Sequence, residues 1–268
     1  MQRLHILLLT CVFLPAALVK ADADSSVAYS KRWVQGLPAH VVTVNLNSRN
    51  VRVSPAIARY GIGTSEGFGS MLSRLQPTAA ITGTYFCVRS LVPVGRIVID
   101  SKVVNIGHVG TAVCIAPDNT VEFKPTSYAS APGSSIYPSI LCTGPRLVSN
   151  GVANVAPWAE GFRDKALYRN AQRSALGVTK HNKLLLVTVN RPIHLSRLAC
   201  VMRDLGAVNA VSLDGGSSTA LFHKGRVLSH PGRRLTNLIV VYESPTMFAR
   251  IKPQLAPSPV IAKTHSKS

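Results

Sequence analysis

In the stretch VSLDGGSSTALFHKG, Val211 to Gly225, a strand-like run ends in one acid, two glycines and three hydroxyl residues before a second strand-like run begins. A carboxylate at a strand end beside a Gly-Gly corner is either the floor of a site or a turn in which the acid caps the following N–H groups. Gly215 and Gly216 would let backbone N–H groups approach an oxyanion closely. Ser218 and Thr219 would hydrogen-bond a sugar or phosphate, or satisfy the loop itself. Glycosidic cleavage commonly uses paired carboxyl groups, and this chain offers few: 11 Asp+Glu against 30 Lys+Arg. Asp22 and Asp24 lie near the N-terminus, Asp100 and Asp118 read as turn residues, and Asp204 reads as a helix-surface residue. That leaves Asp214, Glu160 and Asp164, with Asp214 first and Glu160 as a second carboxylate or a solvated loop acid. An anionic substrate also needs a cation, and the planar donor fork of arginine suits phosphate. Arg173 is the first choice, with Arg96 and Arg146 behind it. His108 in IGHVG is an acid/base by its chemistry or a structural histidine.

The formal charge is +19, which draws phosphate, anionic glycans, nucleic acid or lipid headgroups without choosing among them. Aromatic residues make up only 6% and the basic residues are scattered, which speaks against a nucleic-acid groove. There is no G-x-x-x-x-G-K-[ST] segment and no G-x-G-x-x-G turn between strand and helix. Gly63-Thr64-Ser65-Glu66-Gly67 fits G-x-S-x-G, but it lacks the preceding strand, the long following helix and an HGGG-type segment, so it reads as a loop leading into a helix. Met1–Val19 carries Arg3 and the apolar run ILLLTCVFLPAALV, followed by Lys20-Ala21-Asp22-Ala23. This is the pattern of a secretory leader, residues 1–21, cleaved after Ala21 or Ala23, and it implies a periplasmic or extracellular protein without a transmembrane helix. Beyond it remain Cys87, Cys114, Cys142 and Cys200, none in CxxC spacing. They could form disulfides or stay as buried thiols, and no zinc-ligand pattern is present. No cofactor is required by any motif, metal dependence stays open, and Asp214 alone does not make a calcium site.

These residues need elements to place them. Val41–Val53 alternates as a hairpin or two short strands, and Gly67–Leu75 reads as a short helix stopped by Pro77. Ala79–Phe86 is a strand. Ile97–Val104 is a hairpin turning at Asp100-Ser101, and Val109–Phe123 turns at Pro117-Asp118-Asn119. Ser127–Pro138 is a loop. Leu176–Val189 is a hairpin around Lys180–Lys183, Leu195–Leu205 is the clearest helix, and Val208–Leu213, Leu221–Leu228 and Leu235–Tyr242 are strands or a hairpin. The pattern predicts an α+β single domain over about 33–243: a mixed, largely antiparallel sheet, many hairpins and two or three short helices, followed by a loose basic tail over 244–268.

Read in order, AITGTYF (80–86), PVGRIVIDSKVV (93–104), LCTGPRLVSNG (141–151), AEGFRD (159–164), QRSALGVTKHNKLLLVTV (172–189), the Asp214 stretch and PGRRLTNLIVVYE (231–243) resemble the phosphodiester glycosidase domain family. That family includes the enzyme that uncovers mannose 6-phosphate, and many exported bacterial relatives. The resemblance covers about Glu66 to Glu243. It implies a hydrolase of sugar-1-phosphodiesters in a glycan or glycolipid, with Asp214 and Glu160 doing the chemistry and Arg173 on the phosphate. Thr82, Tyr85, Arg96, Gly144, Gly215, Gly216, Ser218 and Thr219 would surround the substrate. Thr82 stands where the family has asparagine, and a hydroxyl offers one donor where an amide offers two. Two other readings stay open: a non-catalytic envelope protein that binds anionic glycan or another polyanion, and a hydrolase that releases phosphate instead of sugar.

Overall fold

The computed structural model describes residues 25–126 and 135–257. The leader segment 1–21 lies outside the described residues, as do 258–268 and most of the Ser127–Pro138 loop. Within them, tight hairpins dominate because the turn positions are filled by residues that tolerate left-handed backbone. Asp100 and Ser101 (φ 52 and 61) and Lys224 and Gly225 (φ 41 and 82) occupy the two central positions of two-residue turns. Gln35-Gly36 and Asn150-Gly151 make two more two-residue turns, and Asn119 and Asn182 (φ 69 and 53) serve two longer ones.

Among the described residues all strand pairings are antiparallel, and the strands divide among three sheets. The first sheet runs β1 (Val27–Val34), β2 (Leu37–Asn45), β13 (Lys183–Ile193), β12 (Ala171–Thr179), β14 (Ala207–Ser212), β10 (Arg146–Ser149) and β11 (Val152–Ala153). The second runs β16 (Arg226–Ser229), β15 (Leu221–His223), β4 (Ala79–Thr82), β17 (Asn237–Tyr242) and β3 (Arg52–Ile57). The third runs β6 (Lys102–His108), β5 (Gly95–Ile99), β9 (Ser139–Thr143), β7 (Thr111–Ile115) and β8 (Val121–Pro125). With the helices α1 (Phe68–Leu75), α2 (Leu195–Asp204) and α3 (Pro245–Leu255), this is the expected α+β class.

One apolar core is shared by all three sheets, with Leu176, Leu186, Ile81, Ile239, Ile97 and Leu141 among its members. The other face of the first sheet is covered by α2. Leu195, Leu198, Ala199 and Met202, at helical spacing, pack with Leu185, Val187 and Val189. The helix is capped by the His194 side chain and closed at Gly206 (φ 91).

Of the two readings of Val41–Val53, the structure takes two strands and not a hairpin, because β2 pairs with β13 while β3 pairs with β17 in a different sheet. Two expectations change. The first strand begins at Val27, ahead of the expected boundary at 33. The loose basic tail is instead α3 over Pro245–Leu255. Ser244 caps it by accepting from Met247 N at 3.1 Å, and Pro245 sits in the first turn, where its missing N–H costs nothing. Ile251 and Leu255 are buried in the shared core, each contributing about 1.5–3 kcal/mol.

The four cysteines 87, 114, 142 and 200 are free thiols. Burial pushes Cys114 up to about 12 and Cys142 up to about 11. Ser65 sits in a loop before the eight-residue α1, not at a nucleophile elbow. Beside it Glu66 is buried and holds the loop together. It accepts from Arg74 Nη2 at 2.7 Å, Ser70 Oγ at 2.7 Å and the Arg59 amide at 2.9 Å. Burial alone would raise its carboxyl, but these donors win and hold it below the usual range. Glu66→Ala leaves Arg74 buried and unpaired, and is expected to cost about 3–5 kcal/mol in urea unfolding. The folded value is depressed, so this stabilisation is present above the unfolded carboxylate value and disappears as pH falls through the folded one. The gap between wild type and variant should therefore close in acid.

Candidate active site

The site forms where the chain crosses from the first sheet to the second. After β14 the chain leaves one sheet, turns through Asp214–Thr219, and enters β15 of the other. Successive amides fasten this crossing to three separate segments. Ser212 N donates to Pro145 O, Leu213 N to Ser174 O and Asp214 N to Gly83 O, all at 2.9 Å. The Gly-Gly corner has a geometric reason, since Gly216 is left-handed (φ 58) and opens a short 3-10 turn over Gly216–Ser218. Asp214 Oδ1 accepts from Gly215 N at 2.8 Å. Capping and site are therefore not alternatives here, because the bond fixes a carboxylate that also belongs to a larger polar group.

Tyr85 is the centre of that group. Its hydroxyl lies 3.0 Å from Ser212 Oγ, and its ring meets Phe162 edge-on at 5.8 Å. Burial pushes its ionisation up. Geometry draws its neighbours together: an added Cβ at Gly215 would come 3.8 Å from Arg173 Cδ, and one at Gly144 would come 3.2 Å from Glu160 Oε2 and 3.4 Å from the Phe162 ring that Tyr85 meets. Asp214, Arg173, Glu160 and Tyr85 thus share one basin, and the charges of the first three reach the Tyr85 hydroxyl. Burial also pushes Asp214 up to about 6, against the pull of Ser218, the Gly215 N–H and Arg233. Glu160 is raised too, first by burial, with opposing help from Arg146 N at 2.7 Å and Thr111 Oγ1 at 3.0 Å. Glu160 is thus a held carboxylate, not a solvated loop acid. Gly144, at a cis bond to Pro145, lies against it; a Cβ there would come within 3.2 Å of Glu160 Oε2.

Arg173 is only 3% exposed and has no carboxylate partner among the described residues. Nε donates to Ile193 O at 3.0 Å, and Nη2 donates to Leu167 O at 3.1 Å and to Arg169 O. Backbone carbonyls therefore orient the fork without neutralising it, and burial lowers its pKa, opposed by Tyr85. Nearby hydroxyls are also unspent. Thr84 Oγ1, Ser174 Oγ, Ser218 Oγ and Thr219 Oγ1 are buried without a hydrogen-bond partner, and Ser218 lies beside Asp214 without the geometry of a formed bond. Buried polar groups are normally paired, so the unpaired Ser218 hydroxyl beside the Asp214 carboxylate fits a site shaped for a polar ligand.

The other candidates fall outside this group. Thr82 is 1% exposed at the end of β4 and joins the site through the backbone of Gly83. Arg96 is half-buried on β5 beside Cys142, with its Nε unpaired, and no hydrogen bond or ion pair links it to Asp214, Glu160 or Arg173. Arg146 is structural: its guanidinium bonds Val148 O, Phe123 O and Asn209 Oδ1. Asp164 caps the 3-10 turn Lys165–Tyr168 through Ala166 N. His108 ends β6, and its carbonyl accepts from Thr126. Among the described residues no three His, Cys, Asp or Glu side chains gather as a metal cluster. A cleft of about 790 Å³ lined by Tyr60, Val103 and Lys252 contains none of the site residues.

Three contributors were not singled out from sequence. Asn237, 2% exposed, clamps the loop after β4: it accepts from Thr84 N at 2.7 Å and donates to Thr84 O at 3.1 Å. The clamp requires Gly83, where a Cβ would fall 1.9 Å from Asn237 Oδ1. Ser212 anchors Tyr85. Arg233 faces Asp214 and lies over the Phe86 ring at 4.3 Å. The only sequence signal for it was the Arg-Arg pair before the last strand, lost among so many arginines.

Antiparallel sheets thus bring two carboxylates and an unneutralised arginine into one buried polar group. Residues 76–242 match the phosphodiester glycosidase family model, and the chain belongs to that family. Among solved structures, the fold is similar to a hypothetical protein from Synechocystis (TM-score 0.69, 17% identity, covering 81% of this chain and 62% of that one). It is also similar to the catalytic domain of zebrafish N-acetylglucosamine-1-phosphodiester alpha-N-acetylglucosaminidase, auto-inhibited by its pro-peptide (TM-score 0.67, 20% identity, 83% of this chain and 85% of that one). A protein from Burkholderia pseudomallei described as exported matches at TM-score 0.61 and 16% identity, over 77% of this chain and 74% of that one. No curated protein sequence matches the chain.

Proposed function

We propose that the chain is an exported hydrolase that cleaves the bond between an anomeric carbon and a phosphate in a sugar-1-phosphodiester of a glycan or glycolipid. The observation that carries this reading is Arg173, buried, oriented by carbonyls and unneutralised, in one basin with two carboxylates whose ionisation burial has raised. Arg173 takes the phosphate through its free donors. The departing phosphate leaves as an anion, so it needs a fixed cation more than a proton. Asp214, as a carboxylate held by the Gly215 N–H, meets the oxocarbenium-like charge at the anomeric carbon. Glu160 handles the proton of the incoming water, and Ser218, Thr219 and Thr84 hold sugar or phosphate oxygens. Export rests on the leader pattern at 1–21; among the described residues no helix is long and apolar enough to cross a membrane.

The test is one digest of a sugar-1-phosphodiester, assayed for reducing sugar and for sugar-1-phosphate. Reducing sugar together with the phosphomonoester of the other group, and no sugar-1-phosphate, is the expected result. Sugar-1-phosphate and the free alcohol without reducing sugar support a different phosphodiester hydrolase. Binding without turnover over a broad substrate panel supports the non-catalytic reading, which the formal +19 and the threonine at position 82 favour.

A further inference from the structure

The loops around the basin share a feature that cleavage of a single small phosphodiester does not need. The turn that carries Glu160 exposes Trp158 (64%) with the Arg163 guanidinium over its ring at 3.6 Å. The loop after Tyr85 presents Phe86 with Arg233 over its ring at 4.3 Å. Arg89, Lys165, Arg169 and Arg234 extend the same loops, and all four are exposed. The one rim acid, Asp164, turns its carboxylate to Ala166 N. The acids elsewhere are already engaged: Asp100 with Lys252, Asp204 with Arg203, Glu66 with Arg74, Glu122 with Lys124, Glu243 with Lys224 and Asp118 with Thr120. The rim is thus cationic without local compensation, and it alternates aromatic rings with guanidinium groups. Sugar rings lay their C–H faces on aromatic rings, and phosphates take arginine forks.

We propose that the rim binds several repeats of an anionic polymer, a glycan whose sugars are joined by phosphodiesters, while the basin takes one of its linkages. This rests on the preceding reading of the basin and names its substrate class. The experiment compares the full chain on a synthetic oligomer of hexoses joined by phosphodiesters and on a chromogenic single-unit sugar-1-phosphodiester. Several exposed contacts together are expected to favour the oligomer about tenfold in kcat/KM per bond at low salt. That advantage should vanish near 0.5 M salt, where screening acts within about 4–5 Å. In a Trp158→Ala, Arg163→Ala variant of unchanged circular dichroism, the ratio of the two kcat/KM values should fall toward one. Equal rates on both substrates in the wild type, or a variant that slows both alike, would overturn the proposal and leave the basin's activity standing. If neither substrate is cleaved, the reading of the basin fails, and fluorescence anisotropy of the labelled oligomer still decides the rim. Tighter binding of the oligomer than of a single-stranded oligonucleotide of equal charge, weakened in the variant, supports it. Equal binding of the two overturns it as generic polyanion attraction.

Discussion

Asp214→Asn is expected to lower kcat on a sugar-1-phosphodiester about 10³-fold, within the range for loss of a positioned acid–base or nucleophilic carboxylate. The substitution keeps the size of the side chain and an oxygen for the Gly215 N–H, so circular dichroism should not change. The wild-type pH profile should fall below about pH 6, because burial pushes the Asp214 carboxyl up to about 6 and the proposed role requires the ionised form. The residual activity of the variant should lack that limb. A second readout separates charge from structure. The folded carboxyl lies above its unfolded value, so ionising it opposes folding, and this penalty grows as pH rises from the unfolded value through about 6. The inactive variant should therefore have a higher Tm than wild type at pH 7 and no such gain at pH 3. A variant that is inactive but less stable at pH 7 would show a structural carboxylate instead.

Arg173→Lys tests the other half of the site. A lysine keeps the charge but loses the fork that carbonyl groups of Leu167, Arg169 and Ile193 now orient. Loss of one or two charge-assisted hydrogen bonds to phosphate is worth about 1.5–3 kcal/mol each, so kcat/KM should drop about 100-fold or more. The Ki of inorganic phosphate as an inhibitor should rise in parallel. Arg173→Met should show the same kinetic loss together with lower stability, because buried carbonyls lose their donor, at about 1–3 kcal/mol in urea unfolding. A lysine variant that hydrolyses substrate and binds phosphate like wild type would remove Arg173 from substrate contact.

The parts of this molecule legible in sequence are those written locally. The hairpins at Asp100-Ser101 and Lys224-Gly225 announce themselves because the turn residues tolerate positive φ and the flanks alternate. The helix α2 is legible through its apolar spacing and Gly206. What escaped depends on distant partners. Nothing in Val41–Val53 says that its two halves go to different sheets, since β3 is matched to β17 almost two hundred residues on. The helix α3 was hidden by Pro245, Pro253 and its basic residues, and only its docking on the core makes Ile251 and Leu255 an apolar stripe. Within the candidate site, Asp214, Glu160, Arg173 and Tyr85 stand out in the sequence because acids are scarce and motif order is informative. Asn237 and Ser212 do not, because a polar residue at a strand end reads as a boundary until its partner across the fold is known.

The three consecutive amides that tie Ser212, Leu213 and Asp214 to Pro145, Ser174 and Gly83 have a consequence for folding. The basin has no local version of itself: residues 83–85, 145, 173–174 and 212–214 meet only when all these distant pairings have closed, after the loop entropy between them has been overcome. Catalytic competence should therefore arrive in the last phase of refolding, and these amides should exchange with deuterium only through global opening. Such a floor leaves little room for piecemeal change, whereas the exposed loops above it can vary without disturbing it. In lineages with this fold, new substrates would be acquired by rewriting the rim.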